Sequence, residues 1–249
     1  MKAHLSLPLR ADVAFTLLEL MLVTFVVGML FLLLLPVHTG GRAKPQQINC
    51  VNNLKQVGLS FRLWGGDNGE KYPILATFTN DTSFQQMALK NGSGAAYMYQ
   101  VFQLISNELG TPKIVVCPAD DRHIATNFNG DFEALANTAV SYFTGKDADE
   151  TNPQQFLAGD RNIGVMPAGG WSGNDPDGGV TGFSPNTGKG GSYRSLAIYT
   201  NDTRLQWTDK LHKAKGNVTL SDGSVQQMSS SAMRRAAVNT VDATWLYFP

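Results

Sequence analysis

His212 and Asp222 are two side chains of kinds that carry acid–base or metal chemistry, ten positions apart in HKAKGNVTLSDG. Two such groups do not make a site, which needs three or four metal ligands or a nucleophile with a positioned base. The plainer reading is a turn aspartate beside a surface or loop histidine, each bonded locally. Gly173-Asn174-Asp175-Pro176-Asp177-Gly178 resembles a calcium loop. However, Gly173 holds the first ligand position and Ser184 stands where a bidentate glutamate is needed, so it fails as an EF-hand. Neither G-x-S-x-G, H-E-x-x-H nor a phosphate-cradling glycine loop occurs, and His38, His123 and His212 are scattered. No enzyme is expected.

Cys50 and Cys117 are the only cysteines. They could pair, or stay as two buried thiols acting as small hydrophobes. Two cysteines so far apart are no zinc signature.

The remaining candidate is Glu19, the one charge in the apolar run Phe15–Leu35, which has 21 residues. As a helix this run is about 31 Å long, enough for a bilayer core, and an acid inside it is costly without a partner. The run is too long for a secretory signal core, and no small-x-small site follows it. The small residues lie ahead of it, in Asp12-Val13-Ala14.

Ala14-Phe15-Thr16-Leu17-Leu18-Glu19 followed by an apolar helix resembles the processing site of type IV prepilins and type II secretion pseudopilins, with Ala14 where that family usually has glycine. The resemblance implies that a prepilin peptidase cuts between Ala14 and Phe15 on the cytoplasmic side and methylates the new amine. It implies that Glu19 neutralises that amine on its own or a neighbouring subunit during assembly. Pro36 matches a proline where pilin helices loosen. His212 with Asp222-Gly223 is similar to the H-x9-DG segment of prepilin-like proteins from planctomycete and verrucomicrobial lineages. CVNNLKQVGLSF from Cys50, Cys117-Pro118 and LAGDRN over 157–162 resemble the same group. Some pseudopilins hold one calcium in a C-terminal loop, for which Asp175, Asp177 or Asp222 would be the candidates here; otherwise no cofactor is expected.

The supporting elements follow from pattern. Ile48, Val51, Leu54, Gly58 and Phe61 form one stripe at helical spacing, ending near Trp64 before Gly65-Gly66, after a kinked stretch from Pro36 to Pro45. A second helix is predicted over 95–109, capped by Gly110 and stopped by Pro112. Strand-like runs follow at 114–116, 140–144 and 156–158, then a glycine-rich loop over 169–191. Val218–Leu220 and Ser224–Met228 flank Ser221-Asp222-Gly223 as a tight hairpin, and Ser230 or Ser231 could cap a short helix through Met233 and Ala237.

The expected fold is α+β and pilin-like, with a long N-terminal helix packed on an antiparallel sheet with large loops. Its segments would be a leader over 1–14, a transmembrane, filament-core helix over 15–35, the outer half of that helix over 36–66, and a head over 67–249 with its H-x9-DG hairpin at 212–223. Lys and Arg total 20, as do Asp and Glu, so no net field favours nucleic acid. The expected partners are the peptidase, other pilin or pseudopilin subunits, an inner-membrane assembly platform and the membrane itself. The expected location is the inner membrane, N-terminus cytoplasmic and head periplasmic, then the filament. The rival is a monomeric, membrane-tethered binding protein for glycans or surfaces, using the aromatics Trp171, Phe183 and Trp207, of which Trp207 is expected rather to fill core.

Overall fold

A computed structural model describes residues 16–34, 43–73, 98–146, 148–165, 181–182, 194–198, 205–238 and 244–249. The chain divides into two units, Met1–Gly41 and Arg42–Pro249. The architecture is mixed helix and antiparallel sheet, the α+β class expected.

The first unit is built on α1, Leu17–Leu34. Leu, Val, Phe and Met surround it on every side, and from Leu17 to Leu32 the large apolar side chains are 46% to 76% exposed. Its 18 residues make about 27 Å at ~1.5 Å per residue. Among the described residues no helix is long and apolar enough to cross a membrane. Phe15 and Leu35, which complete the apolar run, and Pro36 after it lie outside the described residues.

The second unit begins with α2, Ala43–Asp67. Pro45 is accommodated in the first turn, where its missing N–H has no intrahelical acceptor in any case. Cys50, Leu54, Val57 and Phe61 recur on one face and are fully buried. Ile48, expected in the buried stripe, lies on the opposite face with Leu59 and Leu63 and is exposed; Cys50 and Val57 take its place, because they share the helical face of Leu54 and Phe61. The helix does not stop before Gly65 but runs on to Asp67. The left-handed residues that end it are Gly69 and Glu70, at φ 71° and 62°, with the Glu70 N–H donating to the Gly65 carbonyl at 2.8 Å.

Short elements connect α2 to the sheet. Among the described residues they are α3 (Met98–Leu104), α4 (Ser106–Leu109), the 3-10 turn Pro112–Val115, α5 (Asp131–Leu135) and the 3-10 turn Ala136–Ala139. The expected single helix over 95–109 is broken at Ile105, and Gly110 caps its second part with φ 70°. Ile114-Val115-Val116, read as a strand from β-branching, starts as a 3-10 turn instead. Thr111 accepts the Lys113 N–H and Pro112 supplies the first helical φ, which together override strand propensity.

The main sheet is six-stranded and antiparallel, in the order β5 (Arg194–Ile198), β9 (Thr244–Phe248), β1 (Tyr142–Gly145), β2 (Phe156–Asp160), β7 (Lys215–Leu220), β8 (Val225–Ser229). A smaller sheet has the order β4 (Thr181–Gly182), β3 (Ile163–Val165), β6 (Leu205–Trp207). β4 therefore lies inside the stretch expected to be loop throughout.

Neighbouring side chains on the main sheet enter opposite cores. Tyr142 joins the cluster formed with Leu54, Val57 and Phe61 of α2, while Phe143 joins Trp207, Val218, Met233 and Phe248. A register shift between Phe156 and Ala158 lets Leu157 and Ala158 both face the α2 side. On the other side lies α6, Ser230–Val238, which buries Met233 and Ala237. Its cap is Ser229, whose Oγ accepts from the Ala232 N–H at 3.3 Å, and not Ser230, whose Oγ accepts from the Trp207 N–H at 3.0 Å.

Candidate functional site

Cys50 belongs to the buried stripe of α2, and Cys117 follows the 3-10 turn begun by Pro112. The two form a disulfide with Cα atoms 5.0 Å apart. Side chains of α2 hold the Cys117 segment on both sides of the bond. Asn53 Nδ2 donates to the Val116 carbonyl at 3.0 Å, and Gln46 Nε2 to that of Pro118 at 3.3 Å.

His212 reaches the same place from the connection between β6 and β7. It is a loop histidine, one of the two settings expected, but it is only 8% exposed and its neighbours are remote in sequence, not local. Its Nε2 lies 3.4 Å from Cys117 Sγ and 3.4 Å from Asp160 Oδ2. Asp160 closes β2 and is fully buried. Its Oδ2 accepts from the Asn217 N–H at 2.7 Å and from Asn217 Nδ2 at 2.8 Å, fastening β2 to β7. Asp160 Oδ1 has no hydrogen-bond partner among the described residues.

Arg161 and Asn162 extend this polar knot. Arg161 Nε donates to Asp120 Oδ2 at 2.7 Å, and its Nη2 donates to Asp120 Oδ1 at 2.6 Å and Asp121 Oδ1 at 2.9 Å. Asn162 Nδ2 donates to the carbonyls of Thr208 and Lys215, each at 3.0 Å. Arg122 Nη1 donates to the Asn137 carbonyl at 2.7 Å.

Burial governs the ionisation of these groups. It raises Asp160 to about 7, against the two Asn217 bonds that stabilise the carboxylate, with Asp120 adding to the rise. It lowers His212, opposed by Asp120. It also lowers Arg122 to about 10, helped by the nearby Arg161 cation and opposed by Asp120 and Asp121. A sulfur pair, an imidazole and a carboxylate thus share a closed, low-dielectric place.

The two halves of the H-x9-DG segment separate. Asp222 and Gly223 lie beyond the far end of β7 from His212, in the hairpin turn. Asp222 Oδ1 accepts the Ser224 N–H at 2.8 Å, and Gly223 takes φ 82°. The turn rests on α2, where Arg62 Nη1 donates to the Asp222 carbonyl at 3.3 Å. Asp222 is thus a turn residue, as its setting predicted.

At α1, Glu19 reaches back to Thr16. The Thr16 N–H donates to Glu19 Oε2 at 3.4 Å, and the Glu19 N–H donates to Thr16 Oγ1 at 3.3 Å. Thr16-x-x-Glu19 is therefore a reciprocal capping box, legible in the sequence but not read there. Ala14, Phe15, Asp175, Asp177, Trp171 and Phe183 lie outside the described residues. Trp207 is 2% exposed and packs in the core, as expected for it over a ligand-binding role. Asp120 and Asp160 gave no separate signal beyond the run of three polar residues, Asp160-Arg161-Asn162, after a strand of buried type. No protein-family model, curated protein or solved structure matches the chain.

Proposed function

We propose that the chain is a structural prepilin-like subunit, processed between Ala14 and Phe15 by a prepilin peptidase and assembled into a type IV pilus-like or type II secretion pseudopilus filament. It is held before assembly in the inner membrane, its N-terminus cytoplasmic and its head periplasmic. An inner-membrane platform then joins it to other pilin or pseudopilin subunits, so its work is mechanical and not catalytic.

The observation that carries this reading is α1, apolar on every side and exposed along its length, with Glu19 as its only charge. A surface of that kind requires lipid or another apolar helix. The sequence run Phe15–Leu35 supplies the length for a bilayer. Two features of the second unit support it. The exposed Ile48, Leu59 and Leu63 offer apolar surface on the side of α2 turned from the sheet. The Cys50–Cys117 bond suits an exported, oxidising compartment.

The test is the intact mass and first residue of protein extracted from membranes. The reading requires a chain beginning with methylated Phe15. A chain that keeps Met1, or that begins beyond Pro36, overturns it.

A further inference from the structure

Cys50 Sγ, Cys117 Sγ and His212 Nε2 all lie within 4.8 Å of one another, on three segments remote in sequence, and all three residues are buried. From these atoms the geometry points to a second, metal-bound form of the head, in which reduced Cys50 and Cys117 join His212 and Asp160 to ligate one divalent cation of the zinc class.

The spacing favours this more than a chance contact would. Tetrahedral zinc, with bonds of about 2.3 Å to sulfur and about 2.0–2.1 Å to nitrogen or oxygen, sets its ligand atoms roughly 3.3–3.8 Å apart. Cys117 Sγ to His212 Nε2 is 3.4 Å, within that range, and the Asp160 carboxylate adjoins the imidazole, its Asn217-bonded Oδ2 3.4 Å from Nε2. One edge of the coordination shell therefore exists already, and the carboxylate that would supply the fourth ligand lies beside it. The change required is the opening of the sulfur pair, for which side-chain rotation about two Cα atoms 5.0 Å apart is the main adjustment.

The surroundings fit a closed site. Asn217 holds the Asp160 carboxylate with two donors, as outer partners of metal ligands do. Asp160 Oδ1, buried and without a hydrogen-bond partner among the described residues, is an oxygen that a cation would satisfy. Four protein ligands leave no open position, so the role is structural. Two sulfurs, one nitrogen and one oxygen are donors that zinc accepts and that calcium, with its preference for oxygen, does not.

The exchange balances with a dithiol donor as reductant. Its two thiols transfer two electrons and two protons to the Cys50–Cys117 bond, which becomes two thiols, while the donor leaves as a disulfide. Zinc then displaces one proton from each cysteine to solvent. The disulfide and the metal are alternatives, so the head would have an oxidised clasp and a reduced, metal-filled one.

The experiment uses the full chain in detergent, oxidised or reduced with a phosphine, which is itself oxidised to the phosphine oxide by taking up the oxygen of one water. After incubation with Zn²⁺ and removal of the excess, bound metal is counted and Tm recorded, and Co²⁺ serves as the spectroscopic probe. The expected result is about one zinc per reduced chain and none per oxidised chain, with a thiolate-to-cobalt absorption band only after reduction. His212→Gln should weaken binding by at least about tenfold, the loss that removal of even an outer-shell partner produces. Zinc should raise the Tm of the reduced wild-type chain and leave the oxidised one unmoved, a readout that needs no variant. Reduced protein that takes up no zinc, a Tm unmoved by zinc, or equal affinity in His212→Gln overturns the proposal.

Discussion

Arg161 grips Asp120 through two parallel hydrogen bonds, at 2.7 and 2.6 Å, with only 3% and 2% of the two side chains exposed. Asp121, bound by the same guanidinium, is 67% exposed. Arg161→Ala would leave a carboxylate enclosed without its cation, at a cost of about 3–5 kcal/mol. Asp121→Ala should cost about 1 kcal/mol or less, because water screens that contact. Urea midpoints of the two variants should therefore differ severalfold in their displacement from wild type.

Glu19 has two physical roles open to it, and one substitution separates them. Glutamine serves a capping box nearly as well as glutamate but cannot neutralise an amine. If charge pairing with processed Phe15 drives assembly, Glu19→Gln abolishes filaments as fully as Glu19→Ala, with membrane insertion intact in both. If the Thr16 cap is what matters, Glu19→Gln assembles and Thr16→Val does not. Sheared-filament yield and membrane fractionation decide between them.

The contact between α2 and β7 depends on a missing methyl. A Cβ on Gly58 would fall 2.6 Å from Thr219 Cγ2, while Thr219 Oγ1 donates to the Leu54 carbonyl at 3.2 Å. Gly58→Ala should destabilise the head by about 1–2 kcal/mol despite alanine's better helix propensity. Thr219→Ser keeps the hydroxyl and removes the obstructing methyl. In that background Gly58→Ala should be neutral or stabilising, which a double-mutant cycle by chemical denaturation would measure.

Tyr72 makes the head sensitive to alkali. Burial above all, with the Glu150 charge next, pushes its phenol up to about 12, and its hydroxyl donates to the Ser221 carbonyl at 2.7 Å. Between about pH 10 and 12 the folded chain keeps a proton that the unfolded chain has released, so stability falls as pH rises across that window. Tyr72→Phe should cost about 1 kcal/mol at pH 8 and flatten the decline between about pH 10 and 12. Denaturation curves at those pH values provide the measurement.

The sequence made the local features legible. The buried stripe of α2 was half legible: Leu54 and Phe61 belong to it, Ile48 does not, and Cys50 and Val57 complete it; the β7–β8 hairpin follows from Ser221-Asp222-Gly223. Competing local signals misled where two short-range preferences met. Ile114-Val115 favoured a strand, yet Thr111-Pro112 started a 3-10 turn. Gly65-Gly66 suggested a helix end that Gly69 in fact supplies. The polar cluster was hidden for another reason. His212 meets a cysteine 95 residues away, and no periodicity records a contact made only when α2, β2 and the β6–β7 connection are assembled.

The Cys50–Cys117 bond also sets the route of mechanical load. Cys50 lies near the start of α2, so tension entering the head from the N-terminal side meets it within about two helical turns. Force drawn between that side and the C-terminal strand crosses through sulfur to Cys117, bypassing the backbone from Val51 to Val116. A thread pulled at one end would load Cys117 and the chain that leads from it to β1, leaving most of α2 beyond Cys50 off the covalent path of the force.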